Sequence, residues 1–334
     1  MRIIKFFLIV LSAVSIYIHY LNNESSELQY LLYTDMSSGN YQESSSERFS
    51  FTNLDFPNLS LSVIPVKSIV ARYYFLGGQF NKALEYLEDS DRVNPYLMFS
   101  ESLRSEVYQY LGIEDSLGFY AKKAFTGIPN NDKHFLFLSK YYVKKSDFKS
   151  LDSIFKIVKD RKNPRIWNIY FSSLLSNESK ISDFAKQTAK SATKLFAPEK
   201  YPEVELVSKY VLYGTERINN SVDKDFYAKK AFSEKDYSSA SKLYVEASEL
   251  NPTDYTLFEN AGVSYYMNKE YDKSLEFLTH VVDSMNPNTG KAEFIISSIY
   301  IQKNDITKVC EYANLAAQAD YPGSYGILAK YCQQ

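Results

Sequence analysis

The order of apolar and polar positions divides the chain into three parts. The first, residues 1–21, begins with the basic residues Arg2 and Lys5 and continues as an almost uninterrupted apolar run. A helix from Ile3 to Leu21 would be roughly 28 Å long at about 1.5 Å per residue, close to the ~30 Å hydrocarbon thickness of a membrane. This pattern predicts a single membrane-spanning helix.

The basic residues around this helix predict its orientation. After Lys5 the next Lys or Arg is Arg48, so the positive charge lies on the N-terminal side. The positive-inside rule then leaves the N-terminus in the cytoplasm and sends the rest of the chain across the membrane. The alternative is a signal peptide cleaved after Ser15, although the sequence has no Ala-x-Ala site there.

The second part, residues 22–63, is rich in Ser, Asn and Glu and includes the polar run Glu43–Glu47. This composition is typical of a spacer, and we expect one short helix in it, near Glu27–Thr34. From residue 64 to residue 334 the apolar residues instead recur at helical spacing, which predicts an all-α third part.

Seven of the ten prolines recur at a nearly constant interval in this third part. Their separations are 34, 35 and 34 residues in one series, and 35 and 35 in a second. Proline cannot continue the interior of a helix, but it begins one well and disfavours the α conformation in the residue before it. One proline per period therefore marks a turn, and a period near 34 is typical of helix–turn–helix repeats. The series are Pro95, Pro129, Pro164 and Pro198, then Pro252, Pro287 and Pro322.

Aromatic and small residues recur at fixed separations from the prolines. Phe80 and Ala83 precede Pro95 by the same distances as Tyr237 and Ala240 precede Pro252. Small residues let two helices cross closely, and each pair leaves an apolar face that only a neighbouring pair can bury. We expect repeat units at about 64–97, 98–131, 132–164, 165–198, 221–254, 255–289 and 290–323, an additional helix or kink at 199–220, and a capping helix at about Ser324–Cys332.

These residues resemble the tetratricopeptide repeat (TPR) over most of residues 64–334. Gly262 and Tyr265 match the first helix of that repeat within 255–289, while the consensus Trp is absent. The second helix is matched in the preceding unit by Ala240, Tyr244, Ala247 and Pro252. The resemblance implies a right-handed superhelical solenoid of helix pairs that binds other proteins and is not an enzyme.

A narrower resemblance concerns the repeat tails of bacterial O-antigen ligase/polymerase-type membrane proteins. It is carried by Asp55–Leu59, Ile64–Val66, Ala71–Tyr74, Asn94–Leu97, Tyr120–Phe125, Pro129–Asn131 and Phe258–Gly262. Those proteins have several membrane helices before the tail, whereas this chain has one apolar segment, so no transferase activity carries over. The resemblance implies a scaffold role in cell-surface polysaccharide assembly.

The expected location is the bacterial inner membrane, with a single membrane pass and periplasmic repeats. Two alternatives remain open. Cleavage of the N-terminal segment would give a secreted protein, and a tail like that of a polytopic ligase can face the cytoplasm. We favour the periplasmic placement because this chain must insert by its own first segment, whose charges set its orientation.

In stacked helix pairs of this type the first helices line the concave surface, so their outward residues form a continuous strip. The strip mixes cations, an amide and aromatic rings, which suits an extended peptide or a helix from a partner protein. Asn260 stands where such grooves often use an amide to hold a peptide backbone. The alternative is an ordinary solvated face. The predicted strip comprises Arg72, Phe75, Glu106, Lys140, Lys144, Lys229, Phe232, Asn260, Val263 and Tyr266.

Both cysteines, Cys310 and Cys332, lie near the C-terminus. Cys310 falls in the second helix of the last unit and Cys332 in the capping helix that should stack on it. The pairs Val309-Cys310 and Tyr331-Cys332 also resemble the closing pattern of related secreted repeat proteins, which implies a disulfide. Two buried free thiols are the alternative.

Composition and spacing restrict the chemistry further. Lys and Arg (38) nearly balance Asp and Glu (40) and are interspersed with them, so no basic face for nucleic acid is visible. The histidines His19, His134 and His280 have no second histidine at a metal-binding spacing. The Gly290-Lys291 pair lacks the other residues of a phosphate-binding loop. We expect no metal site, no cofactor and no catalytic residue.

Three hypotheses of function follow. The leading one is a non-catalytic scaffold, tethered to the membrane, that binds a protein or peptide in its concave groove. The second is an accessory or catalytic subunit of glycan polymerisation or ligation. The third is an assembly or lipoprotein-handling factor of the outer membrane.

Overall fold

A computed structural model describes residues 2–39, 41, 53–88, 90–197 and 200–332. Over these ranges the chain is mostly helical and contains no β-strand, and an isolated bridge joins Leu59 to Pro65. The predicted all-α class is confirmed. Pro198 and the polar run Glu43–Glu47 lie outside the described residues.

The first helix, α1 (Arg2–Ser38), has two different halves. Residues 3–20 are exposed along their whole length, whereas Leu28 and Leu32 are completely buried in the apolar core of the first repeat. The helix therefore continues well past the predicted anchor and covers more of the predicted spacer than the short helix expected at Glu27–Thr34. Its second half is amphipathic, because the buried positions recur at intervals of three and four residues.

The chain divides into two compact units, which are described separately. Unit 1 comprises Met1–Ala185 and Phe196–Val204, and unit 2 comprises Lys186–Leu195 and Glu205–Gln334. Two helices, α10 (Asp183–Leu195) and α11 (Pro202–Tyr213), have residues in both units.

The other helices of unit 1 follow one another in short steps. They are α2 (Val66–Leu76), α3 (Phe80–Leu87), α4 (Ser90–Val93), α5 (Phe99–Leu111), α6 (Glu114–Gly127), α7 (Asp132–Lys144), α8 (Phe148–Val158) and α9 (Pro164–Leu174). Short 3₁₀ turns follow α8 at Lys159–Arg161 and α9 at Leu175–Lys180. Successive helices pack together, α3 on α2 and α6 on α5, and α7 also packs on α9. Each pair thus covers an apolar face of its neighbour, as the repeat pattern requires.

Unit 2 repeats the same arrangement. Its helices are α12 (Thr215–Ser233), α13 (Tyr237–Leu250), α14 (Tyr255–Met267), α15 (Tyr271–His280), α16 (Lys291–Gln302), α17 (Ile306–Gln318) and α18 (Pro322–Tyr331), with a π-helical turn at Val281–Met285. Adjacent helices pack in sequence from α12 to α18. The last of them, α18, lies where the capping helix was expected and packs on α17.

Six of the seven prolines of the two series lie among the described residues, and each stands at a turn or a helix start. Pro164 and Pro322 occupy the first turns of α9 and α18. The others lie in turns between helices, at Pro95, Pro129, Pro252 and Pro287. These positions follow from the missing N–H and fixed φ of proline, which suit a helix start but not its interior.

Acidic caps set the turn inside several helix pairs. A residue with positive φ is followed by an Asp whose side chain accepts a hydrogen bond from a backbone N–H of the next helix. The turns are Ser146-Asp147 before α8, Lys235-Asp236 before α13 and Asn304-Asp305 before α17. Each Asp satisfies one of the otherwise unpaired N–H groups of a helix start.

Candidate binding surfaces

The unit 1 part of the predicted strip surrounds two small cavities. Arg72 and Glu106 come together at a cavity of about 110 Å³, which is also lined by Asn131, Lys133 and His134. His134 is buried, and burial lowers the pKa of its imidazole. This cavity is too small for more than one side chain of a partner.

Phe75 is buried and does not face the solvent as the strip predicted. It is 6% exposed, and its ring packs 5.9 Å from the ring of Phe80 and 5.3 Å from that of Tyr110. Tyr110 itself is exposed. The next helix pair therefore covers Phe75 and offers its own aromatic ring at the surface instead.

Lys140 and Lys144 line a second cavity, of about 210 Å³, together with Gln109 and Glu114. The Lys140 ammonium donates to the Gln109 side-chain oxygen at 3.2 Å, and Lys144 pairs with Glu114 at 2.9 Å. Hydrogen bonds from Lys145 and Lys144 lower the pKa of Glu114. These exposed pairs can be displaced at little cost by a partner carboxylate.

In unit 2 the predicted strip residues also have partners within the protein. Lys229 pairs with Asp225 one turn earlier, and the Phe232 ring meets Tyr237 edge to face at 5.2 Å. Val263 is partly buried on α14. Tyr266 is partly buried against Tyr271, with ring centres 6.0 Å apart. Burial is the main cause that raises the pKa of Tyr266, and the neighbouring Tyr271 is the second.

Asn260 belongs to a small polar cluster that joins α14 to α16. The Lys291 ammonium lies 2.8 Å from the buried carboxylate of Glu259 and 3.5 Å from the side-chain oxygen of Asn260. The side-chain oxygen of Asn260 faces a lysine that already pairs with Glu259, an orientation in which the amide nitrogen can donate to a ligand. Such an arrangement suits a peptide carbonyl.

Unit 2 also contains a groove that the sequence did not predict. It has a volume of about 520 Å³ and lies among α13, α14 and α15, and we call it the α13–α15 groove. Its lining is mostly apolar, with exposed carboxylates at Glu249 and Glu276. The Phe258 ring lies 6.3 Å from Phe277 and 5.0 Å from His280. The remaining lining residues are Val245, Ser248 and Pro252.

The sequence contains a partial signal for this groove. Phe277 and His280 are three residues apart, which places both on one face of α15. Phe258 and Asn260 are two residues apart on α14, so they point to roughly opposite sides of that helix. The groove and the predicted strip are therefore different surfaces of unit 2.

A disulfide joins Cys310 of α17 to Cys332, the residue directly after α18. The two Cα atoms are 5.6 Å apart and the bond encloses a separation of 22 residues. Among the described residues no group of three or more His, Cys, Asp or Glu side chains is placed to hold a metal ion.

Comparisons with known proteins add little to this description. No protein-family model and no curated protein sequence matches the chain. Among solved structures it is similar to the TPR domain of P58(IPK), at 11% identity and TM-score 0.38, over 93% of this chain and 99% of that one. It is also similar to a tetratricopeptide repeat protein from Parabacteroides merdae, at 11% identity and TM-score 0.34, over 92% and 98%.

A third structure, the TPR2AB domain of yeast Sti1 in a complex named for pHSP90, gives 15% identity and TM-score 0.30 over 79% of this chain and 93% of that one. TM-scores this low carry no argument, so the all-α class and the helix pairs rest on the helices described above. The resemblance to O-antigen ligase tails has no support in these comparisons and remains a prediction.

Proposed function

We propose that this chain is a non-catalytic protein-interaction scaffold whose helix pairs hold a segment of a partner protein. The observation that carries the proposal is the α13–α15 groove, which combines an open apolar floor with two carboxylates at its edge. Apolar pockets edged by a few polar groups are the usual form of a ligand site. The partner segment that fits the groove carries an aromatic or aliphatic side chain next to Lys or Arg.

The predicted strip is a second surface for the same partner or for another segment of it. Asn260 supplies a fixed amide, and Lys229 and Tyr266 supply a cation and a partly exposed ring on neighbouring first helices of the pairs. Because the strip and the groove lie on different sides of α14, their contributions can be separated by substitution.

The test is selection from a displayed peptide library on the purified full chain in detergent. The strip variant Lys229→Ala/Asn260→Ala/Tyr266→Ala is compared with the groove variant Glu249→Gln/Glu276→Gln. The matched control, Glu216→Gln/Glu234→Gln, removes two exposed carboxylates of unit 2 that lie outside both surfaces.

The groove variant should bind the selected cationic-apolar peptides about tenfold more weakly than the control, since a charge-assisted hydrogen bond is worth about 1.5–3 kcal/mol. Loss of binding in the strip variant alone would assign the peptide to the strip. A chain that selects no peptide, or three variants that bind equally, would contradict a partner site in unit 2.

We propose further that α1 tethers the scaffold to a membrane. Its residues 3–20 form an apolar, exposed helix that is long enough to cross a bilayer, a length and composition that a signal sequence shares. A water-exposed apolar helix of this length costs free energy that a bilayer would relieve. Arg2 and Lys5 favour a cytoplasmic N-terminus and periplasmic repeats.

Protease accessibility in spheroplasts tests the tether and its orientation together. The repeats should be digested from outside in spheroplasts, and the intact chain should stay with the membrane after alkaline extraction. Protection of the repeats would reverse the orientation. Release of a chain shortened at its N-terminus would instead indicate a cleaved signal peptide and a secreted protein.

A role in cell-surface polysaccharide assembly rests only on the sequence resemblance, and it is proposed as the setting of the scaffold. The alternative is an accessory or catalytic subunit of glycan polymerisation. Co-purification with a polytopic ligase would support the setting, and glycan transfer by the purified chain alone would support the alternative.

A further inference from the structure

A short turn before α2 holds a fully exposed leucine in a fixed position. The Val63 N–H donates to the Ser60 carbonyl at 2.9 Å, and the Ser60 N–H donates to the Ile64 carbonyl at 2.9 Å. The Ile64 N–H also reaches the Ser60 hydroxyl, at 3.1 Å. We call residues 60–64 the Leu61 turn. Its backbone is closed on itself, so the direction of Leu61 is set by hydrogen bonds.

The conformation of Val63 shows that this turn is imposed by its surroundings. Val63 has φ of +56°, in the left-handed region that β-branched residues strongly avoid. The Asn94 side-chain amide donates to the Val63 carbonyl at 2.8 Å and holds it there. Backbone strain that the surrounding structure maintains is typical of functional segments.

Leu61 has no cover from the rest of the described chain, whereas Ile64 of the same turn packs against the core of the first repeat. Leu61 has a relative exposure of 106%, the full value for an extended residue, and Val63 is 50% exposed. An exposed leucine gains nothing from water, so its position at the tip of a fixed turn suits an apolar contact outside the described chain.

The turn lies beside α1 at the level where the apolar half of that helix ends. A cavity of about 660 Å³ is lined on one side by Leu59–Ser62 and on the other by a single face of α1, residues Asn22, Ser26, Gln29 and Tyr33. Asn22 directly follows Leu21, the last residue of the apolar run. The lining of α1 at this level is polar but uncharged, which suits the headgroup region of a membrane.

The direction of the two helices places the turn on the membrane side of the first repeat. Tyr41, just beyond the C-terminal end of α1, packs on Tyr73 and beside Gly77 at the C-terminal end of α2. The Leu61 turn precedes the N-terminus of α2 and therefore lies at the opposite end, toward Leu21. Leu28 and Leu32 bury α1 in the same core as α2, so this relationship is rigid.

We propose that the Leu61 turn is a second membrane contact, in which Leu61 enters the lipid interface next to α1. The proposal rests on the membrane tether proposed above. A spanning helix alone leaves the domain free to rotate about the helix axis. A second apolar contact, offset from that axis, would fix which face of the first repeat meets the lipid and which faces the partner.

Site-specific fluorescence in vesicles tests the proposal. The full chain carries one added cysteine, labelled with an environment-sensitive dye, at Leu61, at Ile9 of α1 or at Phe119 of α6. Phe119 is a matched control because it is 63% exposed and belongs to the same unit. The vesicles contain phosphatidylethanolamine and phosphatidylglycerol, with spin-labelled lipid that quenches at shallow or deep positions. Labelling must leave the melting temperature unchanged.

The dye at Leu61 should be quenched several-fold more by shallow than by deep spin labels, the dye at Ile9 by deep labels, and the dye at Phe119 by neither. Quenching at Ile9 without quenching at Leu61 would overturn this proposal and leave the tether standing. A dye at Leu61 that is shielded from water but not quenched by lipid would mean that protein covers the turn, for example a second copy of the chain. No quenching at Ile9 would overturn the tether and this proposal together.

Discussion

The hydroxyl of Tyr170 donates a hydrogen bond of 2.6 Å to a carboxylate oxygen of Asp152, deep between α9 and α8. The other carboxylate oxygen accepts a hydrogen bond of 2.6 Å from Ser182, and Tyr170 is completely buried. Burial, and then Asp152, raise the pKa of the Tyr170 phenol, so the hydroxyl stays protonated and donates this hydrogen bond near neutral pH. A buried carboxylate is thereby kept satisfied inside an aromatic core.

We expect Tyr170→Phe to lower the free energy of unfolding by about 1–3 kcal/mol, because Asp152 would keep its burial and lose one partner. The ring would still stack on Phe155, so packing should change little. Urea unfolding followed by circular dichroism measures the effect. Tyr96→Phe, at a residue that is 84% exposed, is the control and should be neutral. Equal unfolding midpoints for the two variants would show that the hydrogen bond contributes nothing to the free energy of unfolding.

Reduction of the Cys310–Cys332 disulfide should loosen the C-terminal end of unit 2. Closing a loop of 22 residues lowers the conformational entropy of the unfolded chain, which stabilises the fold by about 3 kcal/mol in the chain-entropy model. The end of a stack has one neighbour only and frays first. Amide hydrogen exchange in α18 should therefore rise in Cys310→Ser/Cys332→Ser, while exchange in α2–α9 stays unchanged. Unchanged exchange in α18 would mean that packing alone holds the last helix.

Glycine at position 262 is required by the close crossing of two helices. A Cβ atom there would lie 2.6 Å from Cγ of Leu278, which is completely buried on α15. Gly262→Ala should destabilise unit 2 by about 1–3 kcal/mol through overpacking, partly offset by the ~1 kcal/mol better helix propensity of alanine.

Gly326 provides the matched control, since it also lies in a helix but a Cβ atom there would meet nothing within 4 Å. Gly326→Ala should be neutral or stabilising by about 0.5–1 kcal/mol. Thermal unfolding of both variants decides the point. If Gly262→Ala raised the melting temperature as Gly326→Ala does, the close helix crossing would not require glycine at position 262.

The turns of the repeats were predictable because their causes are local. Proline fixes its own φ and disfavours the α conformation in the residue before it in any fold. Pro129 and Pro322 therefore mark a turn or a helix start both in the sequence and in the structure. The Asp caps at Asp147, Asp236 and Asp305 are equally local, because each accepts its hydrogen bond from the helix that directly follows it.

Surfaces were harder to predict, because the exposure of a side chain depends on which side chains the next helix pair places over it. Phe75 has the right phase for the strip, yet Tyr110 covers it. The second half of α1 was predicted to be mostly spacer, since Leu28 and Leu32 follow the Asn-, Ser- and Glu-rich stretch 22–27. Only docking on the first repeat reveals the apolar stripe. The α13–α15 groove is a space between side chains, which no residue pattern states directly.

Acid should weaken the capped turns first. Hydrogen bonds from Ser150 lower the pKa of Asp147 below its usual 3.8, and those from Ser239 do the same for Asp236. A carboxyl with a depressed folded pKa stabilises the fold above the unfolded pKa, and the contribution is lost as the pH falls through the folded value. The loss should thus begin near pH 4 and continue below it.

Asp147→Asn/Asp236→Asn separates this effect from general acid unfolding. Asparagine caps a helix about as well as aspartate but does not titrate. The melting temperature of the variant should fall less steeply below pH 4 than that of the parent chain, with similar values near neutral pH. Parallel curves for the two proteins would assign the acid sensitivity to other carboxylates.

Glu101 illustrates how one exposed lysine supports a buried charge. Its side chain is 3% exposed, one carboxylate oxygen lies 2.9 Å from the Lys123 ammonium, and the other has no hydrogen-bond partner among the described residues. Lys123→Met keeps most of the length of the side chain but removes its charge. We expect the variant to lose about 1–3 kcal/mol of unfolding free energy, because an incompletely satisfied carboxylate would stay buried.

The double variant Glu101→Gln/Lys123→Met should recover much of that loss, since a neutral amide is far cheaper to bury than a lone carboxylate. Lys122→Met, at the neighbouring position on α6, controls for the removal of a surface charge. Urea unfolding of the parent chain, Glu101→Gln, Lys123→Met and the double variant at neutral pH gives the coupling between the two sites. A double variant less stable than Lys123→Met would show that the carboxylate is held by more than Lys123 and that its charge supports the contact between α5 and α6.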